Sequence, residues 1–252
     1  HMPSRIQSID RVAAILGCFQ TENELKLSQI VEGTGLNKST VHGLIYTLKF
    51  HGFIDQDEET QKYRLGIAFL EFGEIVQKSL NIIEIARPAM REICDRIQET
   101  VHLGLLRGNS VIYIEKIESA QSIRLASAVG MSNPAYATGI GKVLLAGLPE
   151  NKVSSHIPAS FEQFTPYTIQ SKSILIDQLS KIRENGYGFD KEEREIGLEC
   201  IAFPIHDFHG RTPYAISLSG PSFRMKDKQK EGISLLQKGS QLISAKLGYI
   251  PE

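Results

Sequence analysis

Residues 28–50 constrain the fold of this chain more than any other segment. One apolar-periodic stretch ends near Gly33, a glycine-containing turn follows, and a second periodic stretch begins after Asn37. Two helices joined by so short a turn are typical of a helix-turn-helix, whose second helix can lie in the major groove of DNA. The segment therefore predicts a DNA-binding unit, and a small helical subdomain that binds a protein is the other open interpretation.

The second helix of this pair has two faces of different character. Apolar residues recur at helical spacing at Val41, Leu44, Ile45 and Leu48. That face is expected to be buried, and the opposite face carries short polar groups, a cation and an aromatic ring, which suit base edges and phosphates. No acid occurs between Gly33 and Ile54. We predict DNA contacts from Lys38, Ser39, Thr40, His42, Gly43 and Tyr46.

A hairpin is predicted directly after this helix. Residues 53–56 and 62–65 read as two short strands joined by an acidic loop, which is the wing of a winged helix. Lys62 and Arg64 are predicted to contact DNA phosphates, whereas the acidic loop is expected to be repelled by them. The N-caps of the three helices are predicted to be Ser8, Ser28 and Asn37.

The composition is that of a globular protein without an overall attraction to nucleic acid. Hydrophobic residues make up 41% and charged residues 23% of the chain, and the net charge is -1. The longest apolar run, near residues 143–146, is too short to span a bilayer. The three cysteines are odd in number and widely spaced, which indicates reduced thiols. We therefore expect a cytoplasmic protein with no membrane partner.

The rest of the chain mixes strand and helix signals. Strands are predicted at 100–106, 111–117, 123–128, 200–206 and 214–219, and helices at 82–98, 137–146, 174–184 and 225–247. The first two strands flank Gly108-Asn109, a pair typical of hairpin turns. Because strands and helices interleave without regular βαβ spacing, we predict an α+β fold with helices packed on a sheet.

The segment 137–143 contains a glycine-flanked helix start. It departs from a phosphate-binding loop, since Tyr136 and Val143 stand where glycine and Ser or Thr are required. A helix start with free N–H groups is suited to a small carboxylate. The alternative is that the glycines only allow the helix to pack closely on the sheet.

Titratable groups cluster between residues 186 and 207. Asp190 and Glu193 form a candidate acid pair and Cys200 is a candidate nucleophile, so a small-acid-processing enzyme is an alternative hypothesis. No protease signature surrounds Cys200, and the H-x-x-H spacing at residues 206–209 is not diagnostic of a metal site.

Two serines follow in a predicted strand. Ser217 and Ser219 are two positions apart, so their side chains point to the same face. That face is either the wall of a polar pocket or a solvated side of the sheet, and the segment alone leaves both open.

Several of these segments resemble the IclR family of bacterial transcriptional regulators. Residues 35–42, 52–54 and 63–66 are similar to its DNA-binding domain, and residues 186–207 to its effector-binding domain. The resemblance covers the chain from about Arg5 to Gly248. It implies a GAF-like α+β domain that holds a small molecule, often an organic acid, at its sheet.

The resemblance also implies a set of effector-binding residues, carried over position by position. They are Thr138, Gly139, Ile140, Asp190, Leu198, Cys200, Ser217 and Ser219. In this set Cys200 is a small wall residue and not a nucleophile. Two positions depart from the family pattern, because many members carry arginine at Gly43 and alanine is common at Gly139.

These observations combine into one leading hypothesis. We predict a winged helix-turn-helix domain at residues 5–66, a linker helix at 67–80 and an effector-binding domain at 81–250. The protein is expected to regulate a catabolic pathway by binding a double-stranded operator and a small carboxylic or aromatic acid, without enzymatic activity. We expect a homodimer or homotetramer that needs no cofactor and no metal. The enzyme centred on Cys200, or on Asp190 with Glu193, is the rival.

Overall fold

The computed structural model describes residues 5–79, 81–121 and 126–251. The chain divides into two compact units, residues 1–79 and residues 80–252. We call them the N-terminal unit and the C-terminal unit and describe each by itself.

The N-terminal unit is a helical bundle with a small hairpin. Within residues 5–79 its elements are α1 (Gln7–Gly17), α2 (Leu27–Thr34), α3 (Lys38–Phe50), β1 (Ile54–Gln56), β2 (Tyr63–Leu65) and α4 (Ala68–Ser79). Strands β1 and β2 pair antiparallel. The core contains Ile15, Ile30, Val41, Ile45 and Ile54, each at most 1% exposed. Helices α1, α2 and α3 with the hairpin have the predicted winged helix-turn-helix fold, and α4 follows them.

The start of α3 is fixed by its predicted N-cap. Oδ1 of Asn37 accepts the backbone N–H of Thr40 at 2.8 Å, which confirms Asn37 as the cap. Oδ1 of Asn37 also accepts the hydroxyl of Ser39 at 2.8 Å. The first turn of α3, which carries Lys38, is therefore held in one conformation.

The other two predicted N-caps are wrong. Ser8 and Ser28 both lie inside their helices, because α1 and α2 each begin one residue earlier. At α2 the cap comes from within the helix, where Oε1 of Gln29 accepts the backbone N–H of Lys26 at 2.8 Å. A long amide side chain thus reaches back one turn to the N-cap residue, which is Lys26 and not Ser28.

The C-terminal unit is an antiparallel sheet with helices on both faces. Within residues 81–121 and 126–251 its strands are β3 (Thr100–Arg107), β4 (Ser110–Ile117), β5 (Ser132–Pro134), β6 (Gly188–Lys191), β7 (Leu198–Ile205) and β8 (Tyr214–Pro221). Its helices are α5 (Asn81–Ile97), α6 (Gly139–Ala146), α7 (Glu150–Val153), α8 (Lys172–Asn185) and α9 (Ser222–Lys246). The strand order is β5-β4-β3-β8-β7-β6.

Alternation along the strands builds two separate cores. Ile201 and Phe203 of β7 pack with α5 and α9 on one face. Ala202, between them, packs with α6 and α8 on the other face. The small alanine side chain allows α6 to approach the sheet, and the α+β fold predicted from the sequence is confirmed.

Some details of this unit differ from the sequence-based expectation. Strands β5 and β6 were not predicted. The strand expected at 123–128 falls partly on residues 122–125, which lie outside the described residues, and residues 126–128 are not in a strand. Among the described residues, no helix is both long and apolar enough to cross a bilayer.

Candidate functional site

The predicted DNA-contact face of α3 lies on the surface of the N-terminal unit. Thr40 is half-buried and the other five predicted residues of α3 are exposed. Tyr46 exposes 71% of its surface. The opposite face of the helix packs Val41 and Ile45 into the core. Helix α3 therefore presents a polar surface without a single acidic side chain.

Packing within the chain does not explain Gly43, which lies in the middle of this face. A Cβ atom built on Gly43 meets no atom within 4 Å, so the helix has room for a side chain there. A glycine inside a helix lowers stability by about 1 kcal/mol relative to alanine. Its effect is to leave bare backbone beside the exposed ring of Tyr46.

The two predicted wing residues have different surroundings. Arg64 is exposed, whereas Lys62 is half-buried with its Nζ atom 3.7 Å from Oε2 of Glu24. At the tip of the wing, Asp57 accepts the N–H of Thr60 at 2.7 Å. This hydrogen bond holds the pKa of Asp57 below its usual value. The tip therefore keeps a negative charge that DNA phosphates repel.

A cavity of about 530 Å³ opens in the C-terminal unit between the start of α6 and the sheet. All eight residues predicted for effector binding line it: Thr138, Gly139, Ile140, Asp190, Leu198, Cys200, Ser217 and Ser219. The two serines are each 3% exposed, so they do not belong to a solvated face of the sheet. The fold brings the predicted set together at one place.

The start of α6 forms one wall of this cavity. Oγ1 of Thr138 accepts the N–H of Gly141 at 3.1 Å, and the N–H groups of Gly139 and Ile140 have no acceptor within the helix. A Cβ atom on Gly141 would lie 2.2 Å from the carbonyl oxygen of Ala135, whereas one on Gly139 would meet nothing closer than 3.4 Å. Packing therefore explains Gly141 but not Gly139. The free N–H groups and the positive end of the helix dipole can bind a carboxylate.

Strand pairing places the polar groups of the sheet side by side. Asp190 of β6 lies opposite Cys200 of β7, and Cys200 lies opposite Ser219 of β8. Ser217 of β8 lies opposite His102 of β3. Directly opposite residues point to the same face of a sheet. Two neighbouring rows of polar side chains, one with Asp190, Cys200 and Ser219 and one with Ser217 and His102, therefore lie on the floor of the cavity.

Asp190 is the buried acid of this floor. It is 2% exposed, and its Oδ1 atom accepts the backbone N–H of Glu193 at 2.8 Å. Burial and the nearby charge of Glu193 raise the pKa of Asp190 to about 7. Near neutral pH the group exists in both protonation states, so it can either donate or accept a hydrogen bond from a ligand.

A buried ion pair lies behind Asp190. The Nζ atom of Lys142, on α6, is 2.5 Å from Oε1 of Glu193, and the two side chains are 1% and 8% exposed. Nζ of Lys142 also donates to Oε1 of Gln178 at 2.9 Å. Oε2 of Glu193 is buried and has no hydrogen-bond partner among the described residues. Glu193 therefore pairs with Lys142 and is not part of the cavity wall.

Among the described residues that line the cavity, six further polar ones were not predicted: His102, Tyr113, Ser127, Asn133, Arg194 and Glu195. Nε2 of His102 is 2.7 Å from the hydroxyl of Ser127, and the imidazole stacks on Tyr113 with ring centroids 4.7 Å apart. Burial lowers the pKa of His102 to about 3, so this ring is neutral at ordinary pH. A single histidine within the largely apolar sequence of β3 was the one feature from which its place in the cavity could have been predicted.

Cys200 lacks the surroundings of a catalytic nucleophile. Burial raises the pKa of its thiol well above the usual value, so the reactive thiolate is not formed at neutral pH. His102, the histidine that lines the cavity, is paired with Ser127 and is a weak base because of its lowered pKa. The geometry therefore gives no support to covalent catalysis at Cys200.

Across residues 5–79, 81–121 and 126–251, no cluster of three or more His, Cys, Asp or Glu side chains is placed to hold a metal ion. Nδ1 of His206 lies 3.3 Å from Oγ1 of Thr212, and its ring packs on Tyr249 with centroids 4.8 Å apart. These contacts hold the imidazole of His206 in place.

The sequence is similar to known families along most of its length. Residues 8–58 match the IclR helix-turn-helix domain, and residues 75–245 match the bacterial transcriptional regulator IclR C-terminal domain. The HTH-type transcriptional regulator XynR of Escherichia coli (strain K12) is 39% identical over 247 residues, which is 97% of this chain and 98% of XynR. KdgR of the same strain is 35% identical over 249 residues, which is 98% of this chain and 95% of KdgR.

A solved structure agrees with these matches. The crystal structure of Thermotoga maritima IclR has a TM-score of 0.72 and 32% sequence identity, over 97% of this chain and 100% of that chain. XynR and KdgR are both named as transcriptional regulators, not as enzymes. The helix-turn-helix, the sheet domain and the relatives lead to the same conclusion. This chain belongs to the IclR family of bacterial transcriptional regulators.

Proposed function

We propose that this protein is a ligand-responsive regulator of a catabolic pathway, with an operator site in its N-terminal unit and a small-acid site in its C-terminal unit. Residues 5–66 are the DNA-binding domain, residues 67–80 the linker helix and residues 81–250 the effector-binding domain. The observation that carries the proposal is the combination, in one chain, of an exposed acid-free helix face and a cavity walled by a helix N-terminus. Such a regulator acts in the bacterial cytoplasm.

The DNA contacts are assigned to α3 and the wing. The α3 residues that enter the major groove are Lys38, Ser39, Thr40, His42, Gly43 and Tyr46. Lys62 and Arg64 contact the phosphate backbone, which positions the helix but does not read sequence. Bare backbone at Gly43 allows a closer approach to the duplex than an arginine at that position would.

The effector is assigned to the cavity. Its volume of about 530 Å³ lies in the range of small-molecule sites. The N–H groups of Gly139 and Ile140 bind the carboxylate, and Asp190, Ser217 and Ser219 bind the rest of the molecule by hydrogen bonds. Leu198 and Cys200 form less polar parts of the cavity wall.

The effector switches DNA binding only if it binds one arrangement of the dimer better than another. The segment from Ile67 to Gln98, which contains the linker helix and α5, is the element proposed to transmit this difference. The test is a titration of a labelled duplex, selected from a random library by the protein itself, with and without a panel of small carboxylic and aromatic acids. Equal DNA affinity in the presence of every acid would contradict the switch.

Two substitutions on α3 are expected to weaken DNA binding without unfolding the protein. Lys38→Ala removes a phosphate contact, so affinity falls about 5- to 10-fold and the slope of log affinity against log salt decreases by about 1. Tyr46→Ala is expected to reduce affinity about tenfold through lost base or backbone contacts. Because Tyr46 is 71% exposed, its loss leaves the core intact. Fluorescence anisotropy at several salt concentrations measures both effects.

Lys226→Ala is the matched control for Lys38→Ala. Lys226 is exposed on α9 of the C-terminal unit, so the same charge is removed away from the proposed DNA face. Its DNA affinity and salt slope are expected to equal those of the wild type. Equal weakening by Lys226→Ala and Lys38→Ala would contradict the assignment of α3.

The functional form is proposed to be a homodimer, or a homotetramer made of two dimers. Ile67, Leu70 and Ile75, at the start of α4 and along it, are 65%, 71% and 63% exposed. Large apolar side chains that are exposed together mark an interaction surface, and a second copy of the chain can cover this one. A dimer then presents two α3 helices to half-sites in successive major grooves.

Leu70→Glu is expected to shift the protein toward monomers and to lower DNA affinity by more than about tenfold, because it places a charge in the proposed interface. Sedimentation equilibrium gives the oligomeric state, and the same duplex titration gives the affinity. Ile174→Glu, at a position 49% exposed on α8, is the control and should remain dimeric. An unchanged dimer for Leu70→Glu would exclude this interface.

A further inference from the structure

Arg194 lies on the segment that joins β6 to β7 at the rim of the cavity. Hydrogen bonds fix both ends of this segment. The N–H of Gly197 donates to Oε2 of Glu192 at 2.8 Å, and the carbonyl oxygen of Gly197 accepts the N–H of Ser222 at 2.8 Å. Glu192 has a φ of 59° and Gly197 a φ of 81°, so both ends adopt left-handed turns. The backbone at Arg194 is therefore fixed relative to the sheet.

The guanidinium group of Arg194 is also held in place. Its Nε atom donates to Oδ1 of Asn133 on β5 at 3.1 Å. Its Cζ atom lies 4.2 Å from the ring centroid of Phe164. The hydrogen bond uses the Nε atom, and the contact with Phe164 uses the flat face of the guanidinium group. Among the described residues, the two terminal nitrogens of Arg194 donate to no acceptor and the side chain forms no ion pair.

A half-buried guanidinium without a counter-ion is unusual, because charged groups removed from water are normally paired. Arg194 is the one lysine or arginine among the described residues that line the cavity. The acids on the same lining, Asp190 and Glu195, make no ion pair with it. An anion that enters the cavity can supply this missing partner.

Depth separates Arg194 from the start of α6. Thr138 and Ile140 are 4% and 2% exposed and form the deep part of the wall, whereas Ile196 and Met131 are 65% and 43% exposed and lie at the rim with Arg194. The cavity thus has one anion-binding group deep in its wall, at the start of α6, and a second at its rim. A ligand with a single carboxylate satisfies only one of them.

We propose that Arg194 is a specificity-determining residue that binds a second anionic group of the effector, so the effector is a small carboxylic acid with a further carboxylate or phosphate. This inference rests on the proposed small-acid site and defines the class of acid that the site selects. The fork of an arginine matches either anion through two parallel N–H···O bonds. The first carboxylate binds the N–H groups of Gly139 and Ile140, and the second anion binds Arg194.

Isothermal titration calorimetry on the full chain tests this inference. The probes are dicarboxylic acids of four to eight carbons, the monoamide of each one, and 3-phosphoglycerate. The monoamide keeps the size of the diacid but removes one charge. We expect at least one dianion to bind about 10- to 100-fold more tightly than its singly charged counterpart, since a hydrogen bond to a charged group is involved. Comparison of diacids with 3-phosphoglycerate identifies the second anion.

Variants at Arg194 connect this preference to the side chain. Arg194→Gln is expected to weaken the dianion about 10- to 100-fold and to leave the monoamide unchanged, whereas Arg194→Lys should give an intermediate loss. Arg107→Gln, an exposed arginine at the end of β3, is the matched control and should bind as the wild type does. Melting temperatures without ligand check that each variant is folded.

Three results would overturn the inference. They are equal binding of diacid and monoamide, unchanged dianion binding by Arg194→Gln, and absence of binding by every dianion. If singly charged acids alone bind the cavity and alter DNA affinity, the proposed function stands and the role of Arg194 fails. If no acid of any charge alters DNA affinity, the proposed function itself fails.

Discussion

Exchange of Lys142 for methionine is expected to lower the free energy of unfolding of the C-terminal unit by about 3–5 kcal/mol and its melting temperature by about 10 °C. Lys142 is 1% exposed, and its Nζ atom is 2.5 Å from Oε1 of Glu193. Methionine has a similar volume but no charge, so the Glu193 carboxylate would remain buried without a counter-ion. Urea denaturation measures the effect, with separate transitions fitted for the two units.

An exposed ion pair on α8 provides the control. Lys181 and Asp177 are 2.7 Å apart with side chains 65% and 63% exposed, so Lys181→Met should leave the free energy of unfolding close to that of the wild type. The double variant Lys142→Met with Glu193→Gln should recover much of the loss, because it removes the uncompensated charge. A Lys142→Met variant no less stable than Lys181→Met would show that the buried pair contributes nothing.

The buried pair also influences the floor of the cavity. Glu193 donates its backbone N–H to Asp190, so the ion pair with Lys142 helps to position the acid that faces the ligand. The charge of Glu193 raises the pKa of Asp190, and the charge of Lys142 lowers it. Loss of the lysine charge would therefore raise this pKa further. The stability of the unit and the protonation of its ligand site depend on the same three residues.

Local patterns were sufficient to predict the N-terminal unit from the sequence. The spacing of Val41, Ile45 and Leu48 determines which face of α3 is buried, and this face is confirmed. The cap at Ser8 failed because α1 begins at Gln7 without any side-chain cap, and the cap at Ser28 failed because another group reaches the free N–H at the start of α2. In α2 that group is the long side chain of Gln29.

The cavity could be predicted only in part, because it is assembled by strand pairing. The residues alone indicated the helix start at Thr138, and the family resemblance supplied all eight of the predicted effector-binding residues. His102 and Arg194 were missed because they reach the cavity only through the pairing of β3 with β8 and the hydrogen bond to Asn133 on β5. Strand β5 has three residues and β6 has four, too few for a periodic signal.

The affinity of the cavity for a carboxylic acid is expected to fall as the pH rises through about 7. Burial and the charge of Glu193 raise the pKa of Asp190 to about 7. A carboxylate bound at the start of α6 would lie beside this group, since a Cβ atom on Gly139 would be 3.5 Å from the backbone nitrogen of Asp190. The bound anion raises the pKa of Asp190 further, so binding takes up a proton above pH 7.

The sign follows from the protonation states on each side of this pKa. Below pH 7, Asp190 is mostly neutral before and after binding, while the ligand carboxylate stays ionised down to about pH 4. The contribution of Asp190 to the affinity is therefore level between about pH 5 and 7. Above pH 7 it decreases by up to about tenfold per pH unit, because the proton must be taken from increasingly dilute solution. Calorimetry from pH 5.5 to 9, with the tightest-binding acid of the panel above, measures this profile.

The neutral variant Asp190→Asn identifies the titrating group. The groups that face Asp190 are Glu193, Lys142, Arg194, Cys200 and Tyr113. Burial raises the pKa values of Cys200 and Tyr113, which places both above the measured range, and the pKa of His102 lies below it. Asp190→Asn should therefore give a flat profile, while Asp177→Asn, an exposed control on α8, should keep the wild-type slope. A slope that persists in Asp190→Asn would assign the proton to another group and would refute this role of Asp190.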